Sequence, residues 1–128
     1  MASAEGGAVD KVQRGREKRA QLFGPQVAPG GKGTQRLAPY YGQWVLENVF
    51  GDLWTRPTLG DKTRVLVTLV ALAATRSFPQ MKGYVSVALN VGWTREEVVE
   101  AIVQLAPYVG VPTVHNALDV VDEVFSAA

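Results

Sequence analysis

Residues 65–74, Val-Leu-Val-Thr-Leu-Val-Ala-Leu-Ala-Ala, are the longest near-apolar run in the chain, and Thr68 is their only polar side chain. Ten residues fall far short of the ~20 needed to cross a bilayer, so no membrane span is expected. The run opens with the β-branching of a strand, but it is too long and too rich in Ala and Leu to be a buried one. It reads as part of a helix from residue 60 or 61 to about 75, apolar on nearly every side. Such a helix lies in the centre of a bundle or in a contact between subunits, and the rest of the chain must supply its partners.

Those partners are also helical. Leu37, Tyr40, Tyr41, Trp44, Val45 and Val49 recur at i, i+3, i+4, i+7, i+8 and i+12, one stripe of an amphipathic helix. Pro79 opens a further helix, with Met81, Tyr84, Val85, Ala88 and Leu89 on one face, that ends at Asn90-Val91-Gly92. Thr94-Arg95-Glu96-Glu97 is a capping box, the Thr94 hydroxyl taking a backbone N–H and Glu97 reaching back to the cap. The helix it starts buries Val98, Ala101, Ile102 and Leu105 and is closed by residues 107–110. Pro112 opens the last helix, with Val114, Ala117, Leu118, Val121 and Phe125 on one side. Ahead of these, residues 9–23 form a short helix with a sparse apolar face (Val9, Val12, Ala20, Phe23), and the Gly- and Pro-rich stretch 24–34 reads as a linker.

The expected fold is all-α, a compact antiparallel helical bundle of about six helices. Its expected organisation is a disordered N-terminus over 1–8, an N-terminal helix and Gly-rich linker over 9–36, and a helical domain over 37–128.

Composition removes several chemistries. There is no cysteine, which excludes disulfides, iron–sulfur clusters and thiol catalysis. The single histidine, His115, excludes a His-dominated zinc site within one chain. Residues 1–36 carry a surplus of +4 and the remainder −3. The basic arm suits a solvated helix packed on an acidic body or a neighbouring subunit. Contact with nucleic acid is not expected, because the arm holds only Phe23 as an aromatic and the body would repel phosphates. Without a signal-peptide pattern at residues 2–10, the expected location is cytoplasmic.

Three spaced motifs then resemble one family. Gly51-Asp52-Leu53-Trp54-Thr55-Arg56-Pro57-Thr58-Leu59, followed by Thr63-Arg64, resembles "G-x-x-W-x-R-P-x-L" with a downstream "T-R-x-L-V-T". Ala88-Leu89-Asn90-Val91-Gly92-Trp93-Thr94-Arg95-Glu96-Glu97 is close to "A-L-N-x-G-x-T-x-E-E", and Tyr108-Val109-Gly110-Val111-Pro112 to "Y-x-G-x-P". Read in order, they resemble the carboxymuconolactone decarboxylase family, over roughly residues 9–126.

The resemblance implies an alkylhydroperoxidase-D-like helical fold, a trimer or hexamer with sites between helices at subunit contacts, and a small-molecule substrate. It also implies decarboxylation of γ-carboxymuconolactone without a cofactor. That chemistry needs a cationic hold on carboxylates and an acid to protonate the carbanion-like carbon.

The sequence departs from the pattern at one position. The histidine of "E-L-x-x-H-x-x-A" falls on Tyr84, and the sister branch's "C-x-x-C-x-x-x-H" falls on Ser77, Gln80 and Tyr84. A thiol peroxidase is thereby excluded. Tyr84 has two readings, a core tyrosine or a proton donor standing in the histidine's place. A phenol of ordinary pKa, about 10, is a weak base at neutral pH but able to donate a proton to an enolate. His115 also has two readings, a surface or interface side chain or the relocated acid/base, with Asp119 one turn on as its expected partner. Arg56 and Arg64 are candidates to grip a substrate carboxylate, or to make structural ion pairs. Trp54 and Trp44, with Tyr40, Tyr41 and Trp93, either line a pocket for a flat ligand or pack the core.

The expected function is a cofactor-independent lyase of the carboxymuconolactone decarboxylase type. It would act on a small cyclic carboxylated or enolisable molecule. The alternatives are a biosynthetic isomerase or cyclase of the same family and an oligomeric binding protein without turnover.

Overall fold

The computed structural model describes the backbone of residues 4–25 and 30–127, and their side chains from residue 10 onward. Among the described residues the regular structure is entirely helical. They divide into two compact units, Met1–Thr58 and Leu59–Ala128.

The first unit holds α1 (Ala4–Phe23), α2 (Lys32–Leu37), α3 (Pro39–Val45), a π turn (Leu46–Phe50) and a 3₁₀ turn (Leu53–Thr55). Residues 4–8, expected to be disordered, are helical; once a helix is nucleated, adding a residue to it costs little. Residues 1–3 lie outside the described residues. The linker expectation falls partly on 26–29, also outside them, while Lys32, Gly33 and Thr34 belong to α2.

The single helix expected over 37–49 is broken. Pro39 disfavours the helical conformation for the residue before it, and Ala38 sits at φ −144°, ψ 63°, ending α2 and starting α3. The π turn then shifts the helical phase, so Phe50 is buried while the predicted stripe is not. Leu37 and Tyr40 are three-quarters exposed, at 75% and 76%.

What α1 covers is the segment 46–54. Val12, Leu22, Phe50 and Trp54 are buried together in this unit. Phe23 meets Phe50 edge-on at 6.4 Å, Phe50 stacks on Trp54 at 6.1 Å, and the Arg19 guanidinium lies 4.4 Å over Phe23 and 4.9 Å over Phe50. The approach is close because both contact positions are glycine. A Cβ on Gly15 would run into Leu46 O, and one on Gly51 into Lys11 O. The basic helix is tied to this segment by Arg14 Nε donating to Gly51 O at 3.4 Å and by Lys11 with Asp52 at 3.9 Å.

The second unit holds α4 (Asp61–Ala74), α5 (Phe78–Asn90), α6 (Arg95–Val103), the single turn α7 (Ala106–Val109) and α8 (Val111–Ala127). Its core is built from stripes at helical spacing: Val65, Leu69 and Ala73 on α4, Met81, Val85 and Ala88 on α5, Val98 and Ile102 on α6, and Val114, Ala117 and Val121 on α8. Within this unit α4 is buried on one stripe rather than all round, for Val67 is 55% exposed.

The capping box is present. Thr94 Oγ1 accepts from Glu97 N and Glu97 Oε1 from Thr94 N, both at 3.0 Å. Just ahead of it, Trp93 Nε1 donates to Lys62 O at 2.8 Å while the Lys62 ammonium sits 4.4 Å over the indole, fastening the start of α6 to α4.

The turn between α4 and α5 is a Schellman motif. Ser77 N donates to Leu72 O at 2.8 Å and Arg76 N to Ala73 O at 3.1 Å. Its left-handed position, where glycine is usual, is occupied by Arg76 at φ 59°, the one non-glycine residue with positive φ among the described residues. An L side chain there costs about 1–2 kcal/mol.

Candidate functional site

Local structure places each candidate separately. Arg56 follows the 3₁₀ turn in extended conformation (φ −68°, ψ 136°), as a residue before proline does. Thr55 Oγ1 braces that turn by donating to Gly51 O at 3.1 Å and Asp52 O at 3.0 Å. Arg56 is exposed, and its Nε donates to Asp52 Oδ1 at 3.4 Å. A carboxylate of the protein therefore already faces this guanidinium. Arg64, half-buried in the first turn of α4, donates from Nε to Leu59 O at 3.0 Å.

The aromatics serve packing more than one pocket. Trp54 is 6% exposed and stacked on Phe50. Trp93 holds α6 to α4, as described above. Tyr41 and Trp44 stack on each other at 6.2 Å and 9° but are themselves about half exposed, at 51% and 53%.

Tyr84 is half-buried on α5. With Ser77 and Gln80 it forms the strip i, i+3, i+7, running along α5 from its N-cap Ser77. His115 belongs to the outer side of α8, with Asn116, Asp119 and Asp122, all exposed and opposite the buried Thr113, Val114, Ala117 and Val121. The expected pairing with Asp119 is absent: among the described residues no carboxylate contacts the His115 ring. One helical turn brings the two Cα atoms near each other, but two exposed side chains gain little by giving up water for an exposed ion pair. Tyr84 and His115 lie on different helices, and no described contact joins them.

An open groove of about 450 Å³ runs between α5 and the end of α8, lined by Lys82, Gly83, Ser86, Leu89 and Val124. Lys82 Nζ pairs with Glu123 Oε2 at 3.4 Å across these two helices. None of the predicted residues lines this groove. Among the described residues no cluster of three or more His, Asp or Glu side chains is placed to hold a metal ion. No described helix is long and apolar enough to cross a membrane.

One feature escaped the sequence reading. Arg76 Nε donates to Thr113 Oγ1 at 3.0 Å, joining the α4–α5 turn to the first turn of α8. Thr113 is 2% exposed, so its hydroxyl is a fixed anchor. The available signal was an arginine one residue after a helix end, in Ala74-Thr75-Arg76-Ser77, where glycine is the usual choice.

Comparison with known proteins gives this geometry a setting. Residues 39–123 match the model of the carboxymuconolactone decarboxylase family. A 15.0 kDa protein of Paracoccus denitrificans, encoded between nqo9 and nqo10 and uncharacterised, is 30% identical over 90% of this chain and 87% of its own length. The 4-carboxymuconolactone decarboxylase of Acinetobacter baylyi is 25% identical over the same shares. The nitrosuccinic acid decarboxylase of Metarhizium robertsii is 31% identical over 58% of this chain and 52% of its own.

Proposed function

This chain belongs to the carboxymuconolactone decarboxylase family, and from that we propose that it is a lyase that decarboxylates a small cyclic acid. The observation that carries the reading is the family match over residues 39–123, joined by two relatives that are named decarboxylases. In such a reaction the bond to the departing carboxylate breaks and carbon dioxide leaves. The electron pair stays on carbon, delocalised into an adjacent carbonyl, until a proton arrives.

In our reading Tyr84 delivers that proton. It falls on the family's histidine position and is half-buried on α5. Its phenol carries an O–H that can donate to the carbon left with the electron pair. His115, on the outer side of α8, joins the site only if a second copy of the chain covers it, in keeping with an assembly whose sites lie at subunit contacts. Arg56 holds an anion only by exchanging Asp52 for the substrate. No cofactor takes part in the proposed chemistry.

The test is direct: incubate the protein with freshly prepared γ-carboxymuconolactone and follow loss of lactone absorbance together with carbon dioxide release. Release in step with lactone loss supports the reading. A folded protein that leaves the lactone intact argues for the second reading, an oligomeric binding protein without turnover, which the exposed position of His115 favours.

A further inference from the structure

The turn that ends α4 does not require an arginine. Its left-handed position is best filled by glycine, with asparagine next, yet it carries Arg76 at φ 59°. What arginine adds is its side chain. Nε is held by the buried hydroxyl of Thr113 at 3.0 Å, which fixes one edge of the guanidinium plane from the protein side. Arg76 is exposed, and among the described residues no carboxylate pairs with it. Arg56, by contrast, faces Asp52, and Arg64 Nε is engaged by Leu59 O.

Position adds to this. Arg76 immediately precedes Ser77, the first residue of the strip that continues through Gln80 to Tyr84. At 1.5 Å per residue, Ser77 and Tyr84 are about 10 Å apart along the helix, a span that an arginine side chain and a small acid bridge together.

We propose that Arg76 holds a substrate carboxylate at the head of α5 and that Thr113 is the positioning residue that orients its guanidinium. Holding the departing carboxylate would stabilise the ground state more than the transition state, because the negative charge moves off it onto carbon as carbon dioxide forms, and would slow the reaction. The carboxylate held is therefore the one the product keeps, which makes the substrate a diacid. The identity of that acid rests on the decarboxylase reading; the anion site does not.

The test uses the full chain and two independent readouts. Wild type, Arg76→Gly, Thr113→Val and, as an unrelated exposed arginine, Arg16→Ala are compared for γ-carboxymuconolactone kinetics and for calorimetric binding of succinate against uncharged succinamide. Glycine suits the left-handed backbone, so Arg76→Gly removes the guanidinium without burdening the turn, and circular dichroism verifies the fold of every variant.

We expect Arg76→Gly to raise KM or the succinate Kd at least tenfold, Thr113→Val to raise it less, Arg16→Ala to leave it alone, and succinamide not to bind. Succinate bound through Arg76 by a protein inert toward the lactone contradicts the decarboxylase reading with this substrate and upholds this one. If neither readout moves in Arg76→Gly, or wild type shows neither turnover nor succinate binding, the inference is overturned. Loss of thermal stability alone in the two variants reduces the Arg76–Thr113 contact to a structural strap and overturns it equally.

Discussion

Glu97 shows at the scale of one residue how local sequence sets a measurable property. The backbone N–H of Thr94, which its carboxylate accepts, is the main cause of its lowered pKa, below the ordinary 4.5; desolvation works in the opposite direction, while the Thr94 hydroxyl and the nearby Lys62 charge add to the lowering. A carboxyl group whose folded pKa is depressed stabilises the fold above its unfolded value and stops doing so as pH falls through the folded one. The capping box should therefore weaken below about pH 4.5. Glu97→Gln keeps an acceptor for the Thr94 N–H but cannot titrate. We expect its melting temperature to fall less steeply than wild type's as pH is lowered through that window. Parallel curves would show that the box is indifferent to protonation. The box was readable in advance because all of its partners lie within four consecutive residues. Arg76 was not, since its partner Thr113 is 37 residues away and its conformation follows from a helix end that only the folded turn defines.

At the scale of elements, the chain's own signals placed the helices of the second unit closely. Pro79, Thr94 and Pro112 each mark a start within a residue or two of the observed α5, α6 and α8. The first unit was less legible. The apolar stripe from Leu37 to Val49 has good helical periodicity, but the steric demand of Pro39 and the phase shift of the π turn act against it, and periodicity alone registers neither. Gly15 in the middle of α1 looks like a helix weakness that alanine would mend by about 1 kcal/mol. The structure reverses that sign, for a Cβ there meets the Leu46 carbonyl. Gly15→Ala should destabilise by about 1–3 kcal/mol as an overpacked contact. Chemical denaturation checks it, and a variant more stable than wild type would mean that α1 is not seated on the π turn as described.

For the whole molecule, the family and the helical class were both legible in the sequence, because ordered motifs and helix signals survive divergence. The candidate site was legible only as a set of residue types. Tyr84, His115, Arg56 and Arg64 sit on separate elements, and no local pattern reports which of them meet in an assembly. We expect the assembly itself to be a trimer or hexamer of the 13.8 kDa chain. The exposed Leu37, Tyr40, Tyr41 and Trp44 are the surface most in need of cover. Light scattering at micromolar concentration should report a multiple of the chain mass, and Trp44→Ser should lower it. A monomeric wild type would remove His115 from the proposed site.

We propose that this chain decarboxylates a small acid with Tyr84 as its proton donor. That chemistry is tested most directly by the kcat of wild type and of Tyr84→Phe on γ-carboxymuconolactone, with carbon dioxide as the readout. Wild type should turn over, and the folded variant should have a kcat at least tenfold lower, a rise of about 1.4 kcal/mol in the barrier. Equal kcat values would contradict the assignment of the proton to Tyr84, and no carbon dioxide from a folded wild type would contradict the decarboxylase reading with this substrate.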